Sequence, residues 1–223
     1  MKSLLFVSTF FSTFAQKIHQ MKLIVMTQPT FFVEEDKILT ALFDAGLDCL
    51  HLYKPNSAPI YSERLLLLLP EDYRKKVVVH EHFYLKGEYN LAGIHLEGLQ
   101  ETIPQGYKGK VTYTCRDLLR LKETKKRSDR YVFLANTFGN DADSDAGSAY
   151  SSNMLRSAAS DGLIDKKVYA WGGVNPDTIA QARDLHFGGV VLERDLWNKF
   201  DIQNQQDYKE LILYFEKVRK LVS

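Results

Sequence analysis

Short apolar runs recur along the chain, and most of the gaps between them carry the pattern of helices. The runs hold four or five residues, are rich in Val, Ile, Leu and aromatic residues, and show no clean alternation of apolar and polar positions. Strands that are buried on both faces, as in a parallel sheet covered by helices, have this composition. Eight strands are predicted in this way, at residues 22–26, 49–53, 76–80, 92–96, 110–114, 131–134, 167–171 and 189–192.

The longer gaps carry recognisable helix signals. Gly46 closes a segment with acidic residues early and apolar residues at helical spacing, and Pro70 stops a short apolar segment. Asn175 is a candidate N-cap, and Pro176 follows it at the first helical position. The predicted helices lie at residues 34–46, 175–186 and 205–222, the last with a strongly amphipathic pattern, and the segment 61–73 is predicted to hold a short helix stopped by Pro70.

This order of elements predicts one α/β domain, a (β/α)8 barrel. Eight β units with helices between them in about 200 residues fit that fold. A doubly wound open sheet is the alternative, but it normally has fewer strands and a glycine-rich loop after the first. Here residues 27–32 follow the first strand and contain no glycine.

Composition excludes some partners and favours a compartment. The 223 residues are 45% hydrophobic and carry a net charge of +1, so no global basic field attracts nucleic acid. Residues 122–130 are basic and are predicted to be a solvated helix end. Cys49 and Cys115 fit no metal-ligand spacing and lie in or beside predicted strands, which favours two buried thiols in a reducing compartment, the cytoplasm. No apolar run is long enough to span a bilayer, so no membrane partner is expected.

The first 20 residues stand apart from the predicted barrel. Met21 opens the first strand directly, so residues 1–20 are interpreted as an extension produced by an upstream start codon. A weak secretory signal is the alternative, because Lys2 precedes an apolar stretch and Ala15 is a small residue near its end. The barrel domain is therefore predicted to span residues 21–223.

Two glycine pairs flank the helix predicted at residues 175–186. Gly172 and Gly173 follow the seventh strand, and Gly188 and Gly189 enter the eighth. In (β/α)8 barrels the loops after strands 7 and 8 often bind phosphate, and glycine lets backbone N–H groups approach it closely. Both pairs are therefore predicted to belong to a phosphate site, although the second pair also fits a plain tight loop into a strand.

Several segments together resemble one known family. Residues 50–55, 77–96, 107–118, 167–174 and 187–197 are similar, in order and spacing, to stretches of the thiamine phosphate synthase and thiazole tautomerase superfamily. The resemblance covers roughly residues 21–200. It implies the barrel fold, small phosphorylated heterocycles as substrates, and the homodimer that such proteins can form.

The resemblance also implies the chemistry. In the synthase branch, Mg²⁺ holds the pyrophosphate of a pyrimidine methyl pyrophosphate, and the nitrogen of a thiazole phosphate displaces it. Such chemistry needs cations around the leaving group and an oriented pocket. In the tautomerase branch a histidine moves a proton on a thiazole carboxylate phosphate.

The second and third strand ends depart from the family pattern. His51 and Tyr53 stand in the second-strand motif, with tyrosine where the family has a pyrophosphate-binding arginine, and Lys54 is the candidate replacement cation. His80 and Glu81 stand where the family offers Asn-Asp to substrate and Mg²⁺, and Glu81 is the candidate metal ligand. A zinc site made by His80, Glu81 and His82 is not favoured, because alternate strand residues face opposite ways.

The fifth and eighth strands add further candidates. Thr112, Thr114 and Arg116 occupy a segment in which the family carries serine and the tautomerase histidine. The resemblance therefore makes Thr112 and Thr114 candidate phosphate-binding residues, and it makes Arg116, like His51, Tyr53, Lys54 and Glu81, a candidate catalytic residue. Arg116 stays protonated and cannot act as an ordinary acid–base group, but it can hold an anion. Arg194 follows the eighth strand and is predicted to contact phosphate or to fill the pocket.

The sixth loop is acidic where the family carries a lysine. Asp141, Asp143 and Asp145 would repel pyrophosphate unless a cation lay between them. Three functions therefore remain open at the level of sequence. They are a thiamine-phosphate-synthase-like transferase, a tautomerase-like or other small-phosphate enzyme, and an eroded homologue that binds a ligand without catalysis.

Overall fold

The computed structural model describes residues 20–139, 150–201 and 207–223. Eight parallel strands pair in sequence order, and β1 pairs with β8 to close the barrel. The strands are β1 Lys22–Met26, β2 Cys49–Leu52, β3 Val77–Val79, β4 Gly93–Leu96, β5 Val111–Cys115, β6 Val132–Leu134, β7 Val168–Trp171 and β8 Gly189–Leu192. The predicted (β/α)8 barrel is confirmed, and closure between Lys22 and Gly189 excludes the open sheet.

Helices surround the barrel and follow most strands. Within the described residues they are α1 Glu35–Asp44, α2 Pro59–Leu68, α3 Glu71–Arg74, α4 Leu85–Glu88, α5 Leu121–Arg127, α6 Ser152–Ser160, α7 Pro176–Asp184, α8 Arg194–Trp197 and α9 Lys209–Val222. A short 3-10 turn, Leu118–Arg120, precedes α5. None of the helices in these described ranges is long and apolar enough to cross a membrane.

The sequence signals for helix ends are mostly confirmed, with one correction. Asn175 caps α7 and takes part in a capping box with Thr178. The segment at 61–73 was expected to be one helix stopped by Pro70. The structure instead has two helices, because Pro70 cannot continue α2 and stands as the N-cap position of α3. The expected extension at 1–20 lies outside the described residues except for Gln20, and the acidic segment 141–145 lies wholly outside them.

The strands bury both faces, as their composition predicts. Side chains such as Leu23 and Val25 of β1 join the layer between barrel and helices. Their neighbours Ile24 and Met26 point into the barrel, where they meet residues such as Phe133. Alternation along each strand therefore places one set of residues inside the barrel, and the last inward positions of each strand reach its carboxyl-end mouth.

Candidate functional site

A cleft opens at the carboxyl ends of β7 and β8. Gly172 and Gly173 form one wall, and Glu193, Arg194 and Asn198 form the other. Its volume is about 120 Å³, which is smaller than the ~300–1,000 Å³ of typical small-molecule pockets. The structure therefore brings the first glycine pair and Arg194 together, as the phosphate-site prediction requires.

Glycine is needed at both positions of the turn after β7. Gly172 and Gly173 have φ of 92° and 68°, in the left-handed region that side chains rarely adopt. A Cβ on Gly172 would lie 2.9 Å from Cα of Asn136, and one on Gly173 would lie 2.5 Å from the backbone nitrogen of Gly139. The turn thus packs directly against the loop after β6, and bare backbone forms the wall of the cleft.

The start of α7 is already satisfied by its own residues. The Asn175 side chain accepts hydrogen bonds from the backbone N–H groups of Asp177 at 2.9 Å and Thr178 at 3.1 Å. The Thr178 hydroxyl contacts the Gly173 carbonyl at 3.1 Å and so ties the helix to the glycine turn. The amides of Asp177 and Thr178 are therefore already occupied, and the cleft is lined by the glycine turn and Arg194.

The second glycine pair lies at the opposite end of the barrel. Gly189 is the first residue of β8 and pairs with Lys22, the first residue of β1. A Cβ on Gly188 would lie 1.9 Å from the carbonyl oxygen of Lys166, and one on Gly189 would lie 2.6 Å from that of Lys22. The structure does not bring Gly188 and Gly189 to the phosphate cleft. They are glycine because backbone crowds the amino end of the barrel.

A chain of polar side chains reaches the mouth through β4 and β5. His80 Nδ1 lies 3.0 Å from Oε1 of Glu97, and Nη2 of Arg116 donates to Oε2 of Glu97 at 3.0 Å. Burial by itself would raise the pKa of Glu97, but His80 and the Arg116 guanidinium outweigh burial and lower that pKa. Arg116 is a mouth cation, as predicted, but Glu97 already neutralises much of its charge.

The barrel interior holds a buried network of histidines. His51 Nδ1 lies 2.9 Å from Nε2 of His80, and His51 Nε2 lies 2.8 Å from the Tyr131 hydroxyl. His95 contacts the hydroxyls of Thr112 and Thr114, each at 2.8 Å. Burial lowers the pKa of His51 and of His95 well below the ordinary value.

The residues of this network were predicted to face substrate. Thr112 and Thr114, expected to bind phosphate, are almost fully buried and bond to His95 instead. His51, expected to be catalytic, is fully buried below the mouth. The network is therefore a feature of the barrel interior and does not line the phosphate cleft.

Lys54 does not present its charge to the mouth. Its ammonium group lies 2.6 Å from Oε1 of Glu35 and donates to the Thr30 carbonyl at 2.8 Å, and its side chain is only 1% exposed. Burial raises the pKa of Glu35 to about 7 against the opposing effect of Lys54, and burial lowers the pKa of Lys54. In this structure Lys54 stabilises the base of α1 rather than replacing the missing pyrophosphate-binding arginine.

Three carboxylates surround Tyr53 at the mouth. Burial raises the pKa of the Tyr53 phenol, and Glu97, Glu81 and Glu193 raise it further. Glu81 is half-buried, accepts the backbone N–H of Lys54 at 3.2 Å, and has a pKa that burial raises. Glu81 therefore keeps a carboxylate at the mouth, and Mg²⁺ is commonly held by one or two carboxylates together with substrate phosphates.

Sequence reasoning missed four residues that build the mouth and the interior. His95 and Tyr131 bond within the buried network, Glu97 joins His80 to Arg116, and Glu193 accepts a hydrogen bond from the Trp171 indole at 2.7 Å. The available signal was a polar residue inside an otherwise apolar strand, which is the position of His95 in β4. Trp171 packs against the barrel interior and also orients Glu193.

Fold and cleft together define a (β/α)8-barrel protein with a glycine-walled cleft at the carboxyl ends of its last two strands. No protein-family model matches the chain, and no curated protein matches it. A solved thiamine phosphate pyrophosphorylase from Bacteroides thetaiotaomicron is 48% identical, covers 90% of this chain and 97% of its own, and superposes with a TM-score of 0.81. The chain belongs to the thiamine phosphate pyrophosphorylase family.

More distant structures share the fold alone. Thiamine phosphate pyrophosphorylase from Pyrococcus furiosus is 17% identical over 92% of this chain and 96% of its own, with a TM-score of 0.69. A 3-hexulose-6-phosphate synthase is 14% identical over 91% of this chain and 100% of its own, with a TM-score of 0.60.

Proposed function

We propose that the protein is a transferase of the thiamine phosphate synthase type. It would join a pyrimidine methyl pyrophosphate to a thiazole phosphate and release pyrophosphate. The observation that carries this proposal is the 48% identity, over 90% of the chain, to the Bacteroides thetaiotaomicron enzyme. The cleft walled by Gly172, Gly173 and Arg194 supports it, because backbone N–H groups and a guanidinium suit a phosphate group.

Within this reaction we propose the following roles. The thiazole phosphate lies in the cleft between the glycine turn and Arg194, so that its ring faces the barrel mouth. The thiazole nitrogen attacks the pyrimidine methylene carbon, a C–N bond forms, and the C–O bond to pyrophosphate breaks with its electron pair. The protein's contribution is to hold both reactants in line, since fixed geometry can replace much of the entropic barrier.

We propose that carboxylates at the mouth would hold Mg²⁺. Glu81 would be the first ligand, since among the described residues its carboxylate accepts only the backbone N–H of Lys54. Glu97 would be the second ligand if its hydrogen bond with Arg116 were weakened. When bound, Mg²⁺ would neutralise charge on the pyrophosphate. Arg116 is half-exposed at the same mouth and can contact the leaving group directly.

A second candidate, proton transfer on a small phosphorylated heterocycle, is favoured by one observation. His80 and Glu97 form a histidine–carboxylate pair at the mouth, the arrangement used by general acid–base sites. Lys54 is meanwhile held by Glu35, which leaves the pyrophosphate with fewer cations than the synthase chemistry favours. The proposed site is the same, because both reactions need the phosphate cleft.

The two cysteines support a cytoplasmic location for either reaction. Cys49 and Cys115 are both free and both buried. Free thiols persist in reducing compartments, whereas oxidising compartments favour disulfides.

Turnover tests the transferase proposal. We expect the purified full chain, given pyrimidine methyl pyrophosphate, thiazole phosphate and Mg²⁺, to form thiamine phosphate and pyrophosphate in equal amounts. The measurement is product by chromatography against a reaction without protein. Absence of product from a folded sample that binds thiazole phosphate would contradict the transferase. Isomerisation of the thiazole carboxylate phosphate by that sample would support the second candidate, and its failure would leave ligand binding alone.

The two glycine pairs are expected to respond differently to substitution. Gly188→Ala forces a Cβ against the Lys166 carbonyl, so we expect the free energy of unfolding to fall by about 1–3 kcal/mol. Affinity for thiazole phosphate, measured by calorimetric titration, should stay within twofold, because Gly188 lies at the other end of the barrel. A large loss of affinity in a folded Gly188→Ala protein would place the second pair in the phosphate site after all.

A further inference from the structure

Three histidines from neighbouring strands converge inside the barrel. His51 lies on β2, His80 directly follows β3, and His95 lies on β4. One nitrogen of each can be chosen so that all three lie within 4.8 Å of one another. Among the residues that the structure describes, this is the only group of three His, Cys, Asp or Glu side chains that meets that condition.

We propose that His51, His80 and His95 form a binding site for a first-row transition metal ion of the zinc class. The site lies in the barrel interior, away from the glycine-walled cleft, and its link to the mouth is the contact between His80 and Glu97. Neutral imidazole is the ligand that zinc, copper and nickel prefer, whereas Mg²⁺ prefers oxygen.

The ring positions are close to those of a shared metal. Two histidines on one tetrahedral zinc, each at about 2.0–2.1 Å, have ligand nitrogens ~3.3 Å apart and ring centroids ~5 Å apart. His51 Nδ1 and His80 Nε2 lie 2.9 Å apart. The centroids of His51 lie 5.1 Å from His80 and 5.2 Å from His95, while the His80–His95 separation is 4.3 Å. Binding requires the last two rings to separate slightly and turn one His95 nitrogen inward.

Each ring also has a hydrogen-bond partner on a second nitrogen. Metal-bound histidines almost always donate their other ring N–H to a carboxylate, carbonyl or water, which fixes the tautomer. His80 has Glu97 at 3.0 Å on Nδ1, which leaves Nε2 for the metal. His51 has Tyr131 at 2.8 Å on Nε2, which leaves Nδ1.

His95, the third proposed ligand, also has hydrogen-bond partners that can fix its tautomer. His95 has a threonine hydroxyl on each nitrogen, so one contact remains when the other nitrogen turns to the metal. Thr112 and Thr114 can each donate or accept, because a hydroxyl rotates to suit its partner. Threonine therefore supports His95 in either tautomer.

Metal binding would displace the proton shared by His51 and His80, and a tautomer change of His51 accommodates that proton. Without metal, the bond from His51 Nδ1 to His80 Nε2 carries a proton. With metal on both atoms, His51 carries its proton on Nε2 and donates it to the Tyr131 oxygen. Tyr131 then donates to Cys49 Sγ, which lies 3.5 Å from the Tyr131 hydroxyl oxygen. Binding thus changes one tautomer and leaves each ring with a partner.

Charge and coordination number also suit such an ion. Glu97 supplies a carboxylate one hydrogen bond away from the metal, which offsets part of the charge buried in the barrel. Three protein ligands leave a fourth position for a water molecule or a substrate atom, as in catalytic zinc sites. His80 is the ligand nearest the mouth, so that position would face the proposed substrates.

The test is metal binding by the full chain, with Zn²⁺ and Co²⁺ as probes and no activity readout. The protein is stripped with a chelator, refolded with metal to give access to the interior, and freed of excess ion. We expect one metal per chain, a raised melting temperature, and a Co²⁺ visible spectrum of low coordination number.

Matched His→Asn substitutions locate the site. We expect His51→Asn and His95→Asn to lower metal affinity at least about 100-fold, and Glu97→Gln about 10–100-fold through His80. His186→Asn, at an exposed histidine outside the cluster, should stay within twofold. Unchanged affinity in His95→Asn, or no stoichiometric binding by the refolded wild type, would overturn the proposal.

X-ray absorption of the wild-type zinc protein keeps the test decisive if the variants do not fold. We expect three imidazole nitrogens at about 2.0–2.1 Å. A shell of oxygen ligands alone would contradict the site. Because none of these readouts depends on turnover, the proposal can fail while the transferase stands, and the reverse.

Discussion

Lys54→Met is expected to lower the free energy of unfolding by about 3–5 kcal/mol, because it leaves the Glu35 carboxylate buried without its cation. Both side chains of this pair are 2% exposed or less. Oε2 of Glu35 is already buried without a hydrogen-bond partner among the described residues. The backbone N–H of Phe32 also lowers the pKa of Glu35, but it carries no charge to replace the ammonium.

The loss of unfolding free energy in Lys54→Met should become smaller as pH falls. Burial raises the pKa of Glu35 in the folded protein to about 7 from an ordinary value of 4.5, so the folded state holds its proton more tightly than the unfolded state. Stability from this carboxyl group is therefore fully present below pH 4.5 and is lost as pH rises towards 7 and above. Removing Lys54 raises that pKa further, so the deficit of Lys54→Met should shrink as pH falls.

Urea denaturation measures this effect, and two further variants define it. Glu35→Leu combined with Lys54→Met should recover most of the stability, because a buried ion pair can be replaced by apolar groups at little cost. Lys37→Met, on the same helix as Glu35, is the matched control. The ion pair of Lys37 with Glu34 is largely exposed, so this substitution should leave the free energy of unfolding unchanged within experimental error. A Lys54→Met protein as stable as wild type would mean that Lys54 leaves Glu35 in solution, and its role as a pyrophosphate cation would return.

Arg194→Gln is expected to raise KM for the thiazole phosphate about 10–100-fold with a much smaller change in kcat. A hydrogen bond to a charged group contributes about 1.5–3 kcal/mol, which corresponds to that range of affinity. The change falls mainly on KM because the phosphate is held equally in the ground state and the transition state. The result therefore separates phosphate anchoring from chemistry at the mouth.

Calorimetric titration tests the same point without turnover. Wild type should bind thiazole phosphate far more tightly than the thiazole alcohol, and Arg194→Gln should lose most of that preference. Lys126→Gln, at an exposed lysine of α5, is the charge-matched control and should keep it. If Arg194→Gln weakened binding of the thiazole alcohol as much as binding of the thiazole phosphate, Arg194 would support the pocket wall and would not contact the phosphate group.

The barrel itself was predictable because its signals are local. Each strand is a short apolar run, and helix ends such as Asn175-Pro176 follow from capping chemistry within a few residues. The prediction for α2 and α3 was only partly right. Pro70 marks both the end of one helix and the start of the next, and sequence alone does not choose between these roles.

The site was only partly predictable because it depends on which end of a strand a residue occupies and on partners distant in sequence. Gly188 looked equivalent to Gly172, but it precedes its strand while Gly172 follows one. The sequence predicted Lys54 as a cation at the mouth, but in the structure Lys54 forms a buried ion pair with Glu35, 19 residues earlier. The bonds that join His51, His80 and Tyr131 cross three strands, and no spacing along the chain encodes them.

A crystal structure of the full chain with thiazole phosphate tests the central claim most directly. The account predicts the phosphate group between the Gly172–Gly173 turn and Arg194, with the thiazole ring towards Tyr53 and Glu81. Phosphate bound at the groove lined by Lys122, Lys126 and Lys167, or anywhere other than the carboxyl ends of β7 and β8, would contradict this placement.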